Sequence, residues 1–223
     1  MKREIRTTAD GSKTLFVEAL DEHYHSYHGA LQEAQHVFLK MGLHALGKDH
    51  LDILEIGFGT GLNAWLTTLE VVMIGTKVHY IGVEGFPVSR DEWESLEYPK
   101  LITDERGPSL FEKIHVSDWE TANEILPGFQ LTKIRSDFRE FSPEGNSLDL
   151  IFFDAFAPDA QPELWTTAIF QGLYKGLREG GLLVTYSAKG QVRRNMIEAG
   201  FRVEKVPGPP GKREMLRAWK GPK

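Results

Sequence analysis

The chain has 223 residues, 41% of them hydrophobic and 26% charged, enough for one domain with a core of its own. It holds no cysteine, which excludes a disulfide framework and thiolate metal sites and fits a reducing compartment. The net charge of −6 argues against a generally basic nucleic-acid binder, yet from Tyr186 onward ten Lys or Arg face three Glu, a net +7, leaving −13 on residues 1–185.

The opening MKREIRTTADGSKTLF lacks the apolar centre of a signal peptide. The most apolar helical stretch, AWLTTLEVVMIG, is short and contains Glu70, so no membrane span is expected and the protein is expected to be soluble and cytoplasmic. Residues 1–50 read as a lead-in containing an amphipathic helix from about Ala30 to Leu46. From Leu51 the pattern changes. LDILEIG is a short apolar run that opens into glycines and then into a helical pattern through Leu62, Trp65, Leu66 and Leu69, which predicts strand, tight turn and helix. VHYIGVE predicts a second strand ending on Glu84. Residues 85–128 are longer than a crossover needs, with helix expected over Ser89–Leu96 and Trp119–Leu126, and are expected to cover a substrate site. FQLTKIR, LDLIFFDAF and LLVTYS supply three further strands, with a helix between the last two over about Thr166–Leu177 that stops at Glu179-Gly180-Gly181. Gln191–Ala199 reads as a helix stopped by Gly200, and FRVEKVPG and REMLRAWK read as a terminal hairpin. Strands alternating with helices imply a mostly parallel, doubly wound α/β sheet with right-handed crossovers and a C-terminal antiparallel hairpin. The expected division is a lead-in over 1–50 and one Rossmann-like domain over 51–223.

In EIGFGTGLN the glycines are Gly57, Gly59 and Gly61. Glycine is required where the backbone turns sharply and must approach a ligand with no Cβ in the way. The turn follows a strand and opens a helix, and a second strand ends on Glu84, where a carboxylate can accept from both hydroxyls of a ribose. Dinucleotide sites use Gly-x-Gly-x-x-Gly to seat a pyrophosphate on the helix N-terminus. Here the spacing is Gly-x-Gly-x-Gly behind Glu55, an acid that disfavours pyrophosphate and suits a cationic methionine group. Spacing and acid both favour S-adenosyl-L-methionine. Asp137 is placed to accept from an adenine amino group, with Phe138 packing on the ring. An N-cap role for Asp137 and a solvent-exposed strand end for Glu84 stay open as plainer readings.

FFDAFAPDAQPELW places Asp154 at the end of the central strand, where open α/β sheets hold reacting groups. Pro158 and Pro162 stiffen the following loop, and Phe156 and Trp165 offer apolar faces beside it. Asp154 is the candidate catalytic residue, with a strand cap as the alternative. His23, His25, His28 and His36 cluster near the N-terminus but lack a supporting acid shell, so no metal is expected. Arg193, Arg194, Lys212 and Arg213 are candidate phosphate contacts, or ordinary surface charge.

The blocks GALQEAQHVFL, EIGFGTGLN, VEGFP, SDFRE, FFDAFAPDAQPELWT, VRRNMIEAGF and GKREML span Gly29 to Leu216. Together they resemble the methyltransferase part of the bacterial wobble-uridine modification family MnmC, which also occurs as a stand-alone MnmD form. The resemblance implies S-adenosyl-L-methionine as cofactor and tRNA carrying 5-aminomethyl-(2-thio)uridine at the wobble position as substrate, with 5-methylaminomethyl-uridine as product. It implies Asp154 as the catalytic acid, and Tyr24, Ser26 and Asn63 among the cofactor contacts. The family's fused form continues into a flavin-dependent oxidase, and that activity is expected to be absent from this chain. Two other readings remain: a methyltransferase for small amines with no RNA partner, and a non-catalytic RNA-binding module that uses the basic C-terminal fifth.

Overall fold

In the computed structural model, which describes residues 2–221, the strand LDLIFF runs as β8 (Leu148–Phe153) with all six residues buried. A strand buried on both faces needs a continuous apolar run, and alternate residues serve opposite layers. Leu150 and Phe152 join one core, while Ile151 and Phe153 join the other. β4 (His50–Ile56) does the same, sending Leu51 and Ile53 to the first core and Leu54 and Ile56 to the second.

The remaining strands of the main sheet are β5 (Lys77–Val83), β6 (Ala122–Leu126), β7 (Phe129–Ile134), β9 (Leu177–Thr185), β10 (Arg202–Pro207) and β11 (Glu214–Trp219). Their order is β10-β11-β9-β8-β4-β5-β7-β6. β7, β5, β4, β8 and β9 run parallel, and β6, β11 and β10 are antiparallel to their neighbours. The chain winds from β4 to β5 in one direction and later returns to β8 on the other side of β4. That reversal opens a crevice beyond the carboxyl ends of β4 and β8.

The first core is capped by α1 (residues 30–46), α2 (Leu62–Ile74), α3 (Arg90–Leu96) and α4 (Gly107–Val116), and the second by α5 (Thr167–Gly176) and α6 (Gly190–Glu198). α1 follows the expected bounds, with a wider π-helical middle over Gln35–Leu43. Ahead of it, β1 (Arg3–Thr7), β2 (Lys13–Val17) and β3 (Glu22–His23) form a small separate sheet. Arg3 ties that sheet to the main body by pairing with Glu92 at 3.0 Å and donating to the Phe86 carbonyl. No helix among the described residues is long and apolar enough to cross a membrane.

Two local expectations need correction. The helix expected over Trp119–Leu126 is instead the edge strand β6, joined to β7 by a turn at Pro127-Gly128 in which Gly128 takes φ +88°. Hairpin closure and the unpaired edge of β7 outweigh the weak helical pattern there. The helix of that region is α4, which carries Pro108 in its first turn and buries Leu110, Phe111 and Ile114, packing against α2. Trp65 fixes the contact by donating from Nε1 to the Gly107 carbonyl at 2.9 Å. Finally, Glu179-Gly180-Gly181 does not end α5, which stops at Gly176; these residues lie within a longer β9, at a shift in its register against β8.

Candidate active site at the strand ends

Strand register brings the site together. Ile56 is level with Val83 on one side and Phe153 on the other, and Val83 is level with Ile134. The residues one step beyond that row, Gly57, Glu84 and Asp154, therefore emerge on one rim although nearly 100 positions separate the first from the last. Above them lies a cavity of about 560 Å³, within the range of roughly 300–1,000 Å³ usual for small-ligand sites. Its walls come from the glycine turn, the ends of β5 and β8, the segment after β7, and the loop Tyr24–Tyr27 of the lead-in.

The glycine turn is built by backbone geometry that side chains resist. Gly57 has φ +85°, and a Cβ there would lie 2.5 Å from the Asp154 carbonyl oxygen. Gly59 has φ +51°, and a Cβ would lie 3.1 Å from the Tyr24 ring. Gly57 and Gly59 line the cavity, whereas Gly61, with φ +70° as the N-cap of α2, stands behind it.

Glu84 holds this turn in place. One carboxylate oxygen accepts from the Gly59 N–H at 2.8 Å and the other from the Phe86 N–H at 2.8 Å. Further lone pairs remain on both oxygens of this cavity-lining residue. Asp137 also lines the cavity, and it is an N-cap as well, accepting from the Arg139 N–H at 2.9 Å and paired with the Arg139 guanidinium. That pairing holds its carboxyl below the ordinary value. Phe138 lines the wall and packs edge-on against Phe153 at 5.7 Å.

Asp154 sits where β8 meets the cavity. Its Oδ2 accepts from Asn63 Nδ2 at 2.9 Å, and the same amide donates to Glu55 Oε1 at 2.8 Å. Burial pushes the Asp154 carboxyl up, and the Glu33 charge pushes it further, to about 8; the Asn63 hydrogen bond and Lys212 pull the other way. Burial also raises Tyr24 and Tyr186 and lowers His25 to about 4, so these cavity residues are neutral at pH 7.

Several candidate residues lie elsewhere. Glu55 does not reach the cavity, contrary to the direct cofactor contact expected of it. It is fully buried beneath the turn, accepts from Asn63 and from the Tyr80 hydroxyl at 2.8 Å, and is raised well above its ordinary value by desolvation. Trp165 is also below the surface, 2% exposed, with Nε1 donating to the Phe156 carbonyl at 2.9 Å. It supports the loop, while Phe156 faces the cavity and meets the Tyr24 ring edge-on at 5.1 Å. Tyr24, Ser26 and Asn63 all line the cavity. Of the four basic candidates only Lys212 does so; Arg193, Arg194 and Arg213 lie outside its wall.

Sequence reasoning passed over Glu33, Phe86 and Tyr186 and weighed His25 only as a metal ligand, yet all four line the cavity. For Glu33 a signal existed. It shares the inner face of α1 with Ala30, Ala34 and Val37, and an acid on an apolar helix face is the exception that asks for a reason.

Residues 117–221 match the model of a family described as S-adenosyl-L-methionine-dependent methyltransferases. The chain is 34% identical over 214 residues to the tRNA 5-methylaminomethyl-2-thiouridine biosynthesis bifunctional protein MnmC of Aromatoleum aromaticum, covering 89% of this chain and 33% of that protein. It is 33% identical over 223 residues to the protein of the same name from Pseudomonas aeruginosa, covering 89% and 32%. The chain thus spans about a third of the length of these curated relatives. Among solved structures, MnmC2 from Aquifex aeolicus superposes with a TM-score of 0.75 at 27% identity, covering 98% of this chain and 70% of that one.

Proposed function

From the premise that the chain belongs to the S-adenosyl-L-methionine-dependent methyltransferases, we propose that it N-methylates the 5-aminomethyl group of wobble (2-thio)uridine in tRNA. The product is 5-methylaminomethyl-uridine. One observation carries the reading: a half-buried carboxyl, Asp154, shares a cavity with the glycine turn and Glu84. The names of the relatives, which refer to tRNA 5-methylaminomethyl-2-thiouridine, supply the substrate class.

The residues fit the cofactor. The turn leaves backbone bare where a side chain would collide with Tyr24. Asn63 lines the cavity with Oδ1 buried and without a partner among the described residues, an acceptor suited to an ammonium donor. Glu84 would hold ribose hydroxyls and Asp137 the adenine amino group, with Phe138 against the ring and Tyr24 and Ser26 closing the side. Bound S-adenosyl-L-methionine supplies a methyl group carried on a cationic sulfur.

The acceptor amine, with an ordinary pKa of roughly 10, arrives as an ammonium. It must lose a proton to expose its lone pair. Apolar cover from Phe156 and Tyr186 favours the neutral amine by desolvation. Asp154 orients the amine through its N–H, stabilises the positive charge that develops on nitrogen, and can take up the released proton. Alignment by the cavity walls contributes the rest of the acceleration. A small-molecule amine methyltransferase and a non-catalytic RNA-binding module are the alternatives.

The test is incubation of the protein with labelled S-adenosyl-L-methionine and tRNA bearing 5-aminomethyl-uridine, followed by nucleoside mass analysis. Label in 5-methylaminomethyl-uridine supports the reading. Label transfer to free amines with none to tRNA favours the small-molecule enzyme, and absence of cofactor binding favours the RNA-binding module.

A further inference from the structure

On the inner face of α1, Glu33 is 6% exposed and lines the same cavity as Asp154. Its Oε1 accepts from the Ser26 N–H at 3.1 Å, which fixes the loop Tyr24–Tyr27. Its Oε2 accepts from Lys212 Nζ at 2.7 Å. Lys212 reaches it from the turn between β10 and β11, 179 positions away in sequence, and its ammonium lies 4.1 Å from the centre of the Tyr186 ring. An aromatic face, a carboxylate and one ammonium therefore meet at one end of the cavity, near enough to Asp154 for its carboxyl to feel both charges.

Lys212 is the more exposed partner. Its side chain keeps 32% of its exposure, against 8% for Glu33, and its turn carries Gly211 at φ +84°. Tyr186 and Glu33 are anchored, the first by donating to the Ala155 carbonyl at 2.9 Å and the second through Ser26. A carboxylate that is fixed and nearly dry needs a cation, since an uncompensated buried charge is expensive. A long, flexible lysine can satisfy that need and also withdraw from it.

Resting on the acceptor proposed above, we infer that Glu33 is the residue that selects for an ammonium, and that Lys212 is its placeholder, displaced when the 5-aminomethyl group enters. The exchange replaces one ammonium by another on the same oxygen and beneath the same ring. The charge of the pocket is conserved, so the incoming cation loses its water without leaving Glu33 bare. The Tyr186 face contributes to either cation in the same way. The displaced Lys212 moves to the outside of the turn beside Arg213, where a phosphodiester of the substrate can receive it. Selection by Glu33 complements Asp154: Glu33 receives the amine in its charged form, and Asp154 can take up the proton that the same nitrogen loses before it attacks the methyl carbon.

The test uses two free nucleosides, 5-aminomethyluridine and its neutral counterpart 5-hydroxymethyluridine, as inhibitors of methyl transfer to aminomethyl-uridine tRNA. The full chain should prefer the amine by about tenfold or more, as expected for a charge-assisted contact. Glu33→Gln keeps an acceptor for Ser26 and should lower that preference to within about threefold, with cofactor affinity held by calorimetry. Lys212→Met removes the rival cation, so the amine nucleoside should inhibit more strongly, while Lys212→Arg should behave as the parent. A Glu33→Gln protein that binds cofactor and keeps the full preference overturns the inference, as does weaker inhibition by the amine nucleoside in Lys212→Met. Either result leaves the proposed function standing if the parent chain methylates tRNA. Failure of the parent chain to methylate any aminomethyl-uridine tRNA removes the reading on which the inference rests.

Discussion

Asn63 donates from one side-chain nitrogen to Asp154 Oδ2 at 2.9 Å and to Glu55 Oε1 at 2.8 Å, so a single amide in the first turn of α2 separates the half-buried carboxyl of Asp154 from the fully buried one of Glu55. Burial raises the proton affinity of both, and the Asp154 charge raises that of Glu55 further. Replacing the amide by a third acid should be costly. Asn63→Asp is expected to destabilise the fold by about 3–5 kcal/mol, the usual cost of leaving a buried charge uncompensated, whereas Asn63→Gln should cost less. Urea unfolding of the two variants side by side checks this, and equal midpoints would mean that the amide does not separate the acids.

Asp154 also makes stability depend on pH. Its ordinary value is 3.8 and its folded value is about 8, so between these the folded chain keeps a proton that the unfolded chain has released. The unfolded state then binds fewer protons, and stability falls as pH rises from about 4 to about 8, by on the order of 1 kcal/mol per pH unit at most. Asp154→Asn removes this dependence and should be the more stable protein at pH 8. Its transfer rate should nevertheless fall at least about 100-fold at near-normal cofactor affinity, as for other single electrostatic stabilisers. In the parent chain kcat/KM should rise with pH toward about 8, a limb absent from the variant. A single-turnover rate within a few-fold of the parent would reduce Asp154 to a loop-shaping role.

At the cofactor end, Glu84 both holds the glycine turn and offers its lone pairs to the cavity. Glu84→Ala should weaken S-adenosyl-L-methionine binding by about 1–3 kcal/mol. Gly59→Val should abolish it, because its Cβ meets the Tyr24 ring and valine resists φ +51°. Calorimetry decides the matter, with parental affinity in both variants as the outcome that removes the site.

For the polyanion, Arg194 and Arg213 are exposed and Arg193 half-buried, all outside the cavity. Replacing the three by Gln should raise KM for tRNA and spare cofactor affinity. It should also flatten the slope of log KM against log salt by about 0.7–0.9 for each phosphate that is no longer neutralised. An unchanged slope would move the RNA-binding surface to another face.

The acceptor pocket should also reject an anion. A carboxymethyl group on the amine would bring a further carboxylate toward Glu33 and into a pocket whose burial already disfavours the ionised form of Asp154, and like charges in a partly desolvated pocket repel. This chain alone should methylate aminomethyl-uridine tRNA and leave carboxymethylaminomethyl-uridine tRNA unchanged. Nucleoside mass analysis of both substrates distinguishes the cases, and conversion of the second would show that the pocket tolerates the acid.

What was legible in the sequence was local. The strand–turn–helix around Gly57, Gly59 and Gly61, the apolar run of β8 and the terminal hairpin all follow from periodicity and turn chemistry within about 20 residues. Such patterns place Glu84 and Asp154 at strand ends because a strand's end is visible in its own composition. The tertiary structure decided everything that depends on which strands are neighbours. The register of Ile56 against Val83 and Phe153 brings three distant strand ends to one rim. The same packing puts Glu55 and Trp165 behind the wall although each stands close in sequence to a cavity residue. It also joins Glu33 to Lys212, because a buried charge takes its partner from whatever element folds against it, and sequence distance has no part in that choice.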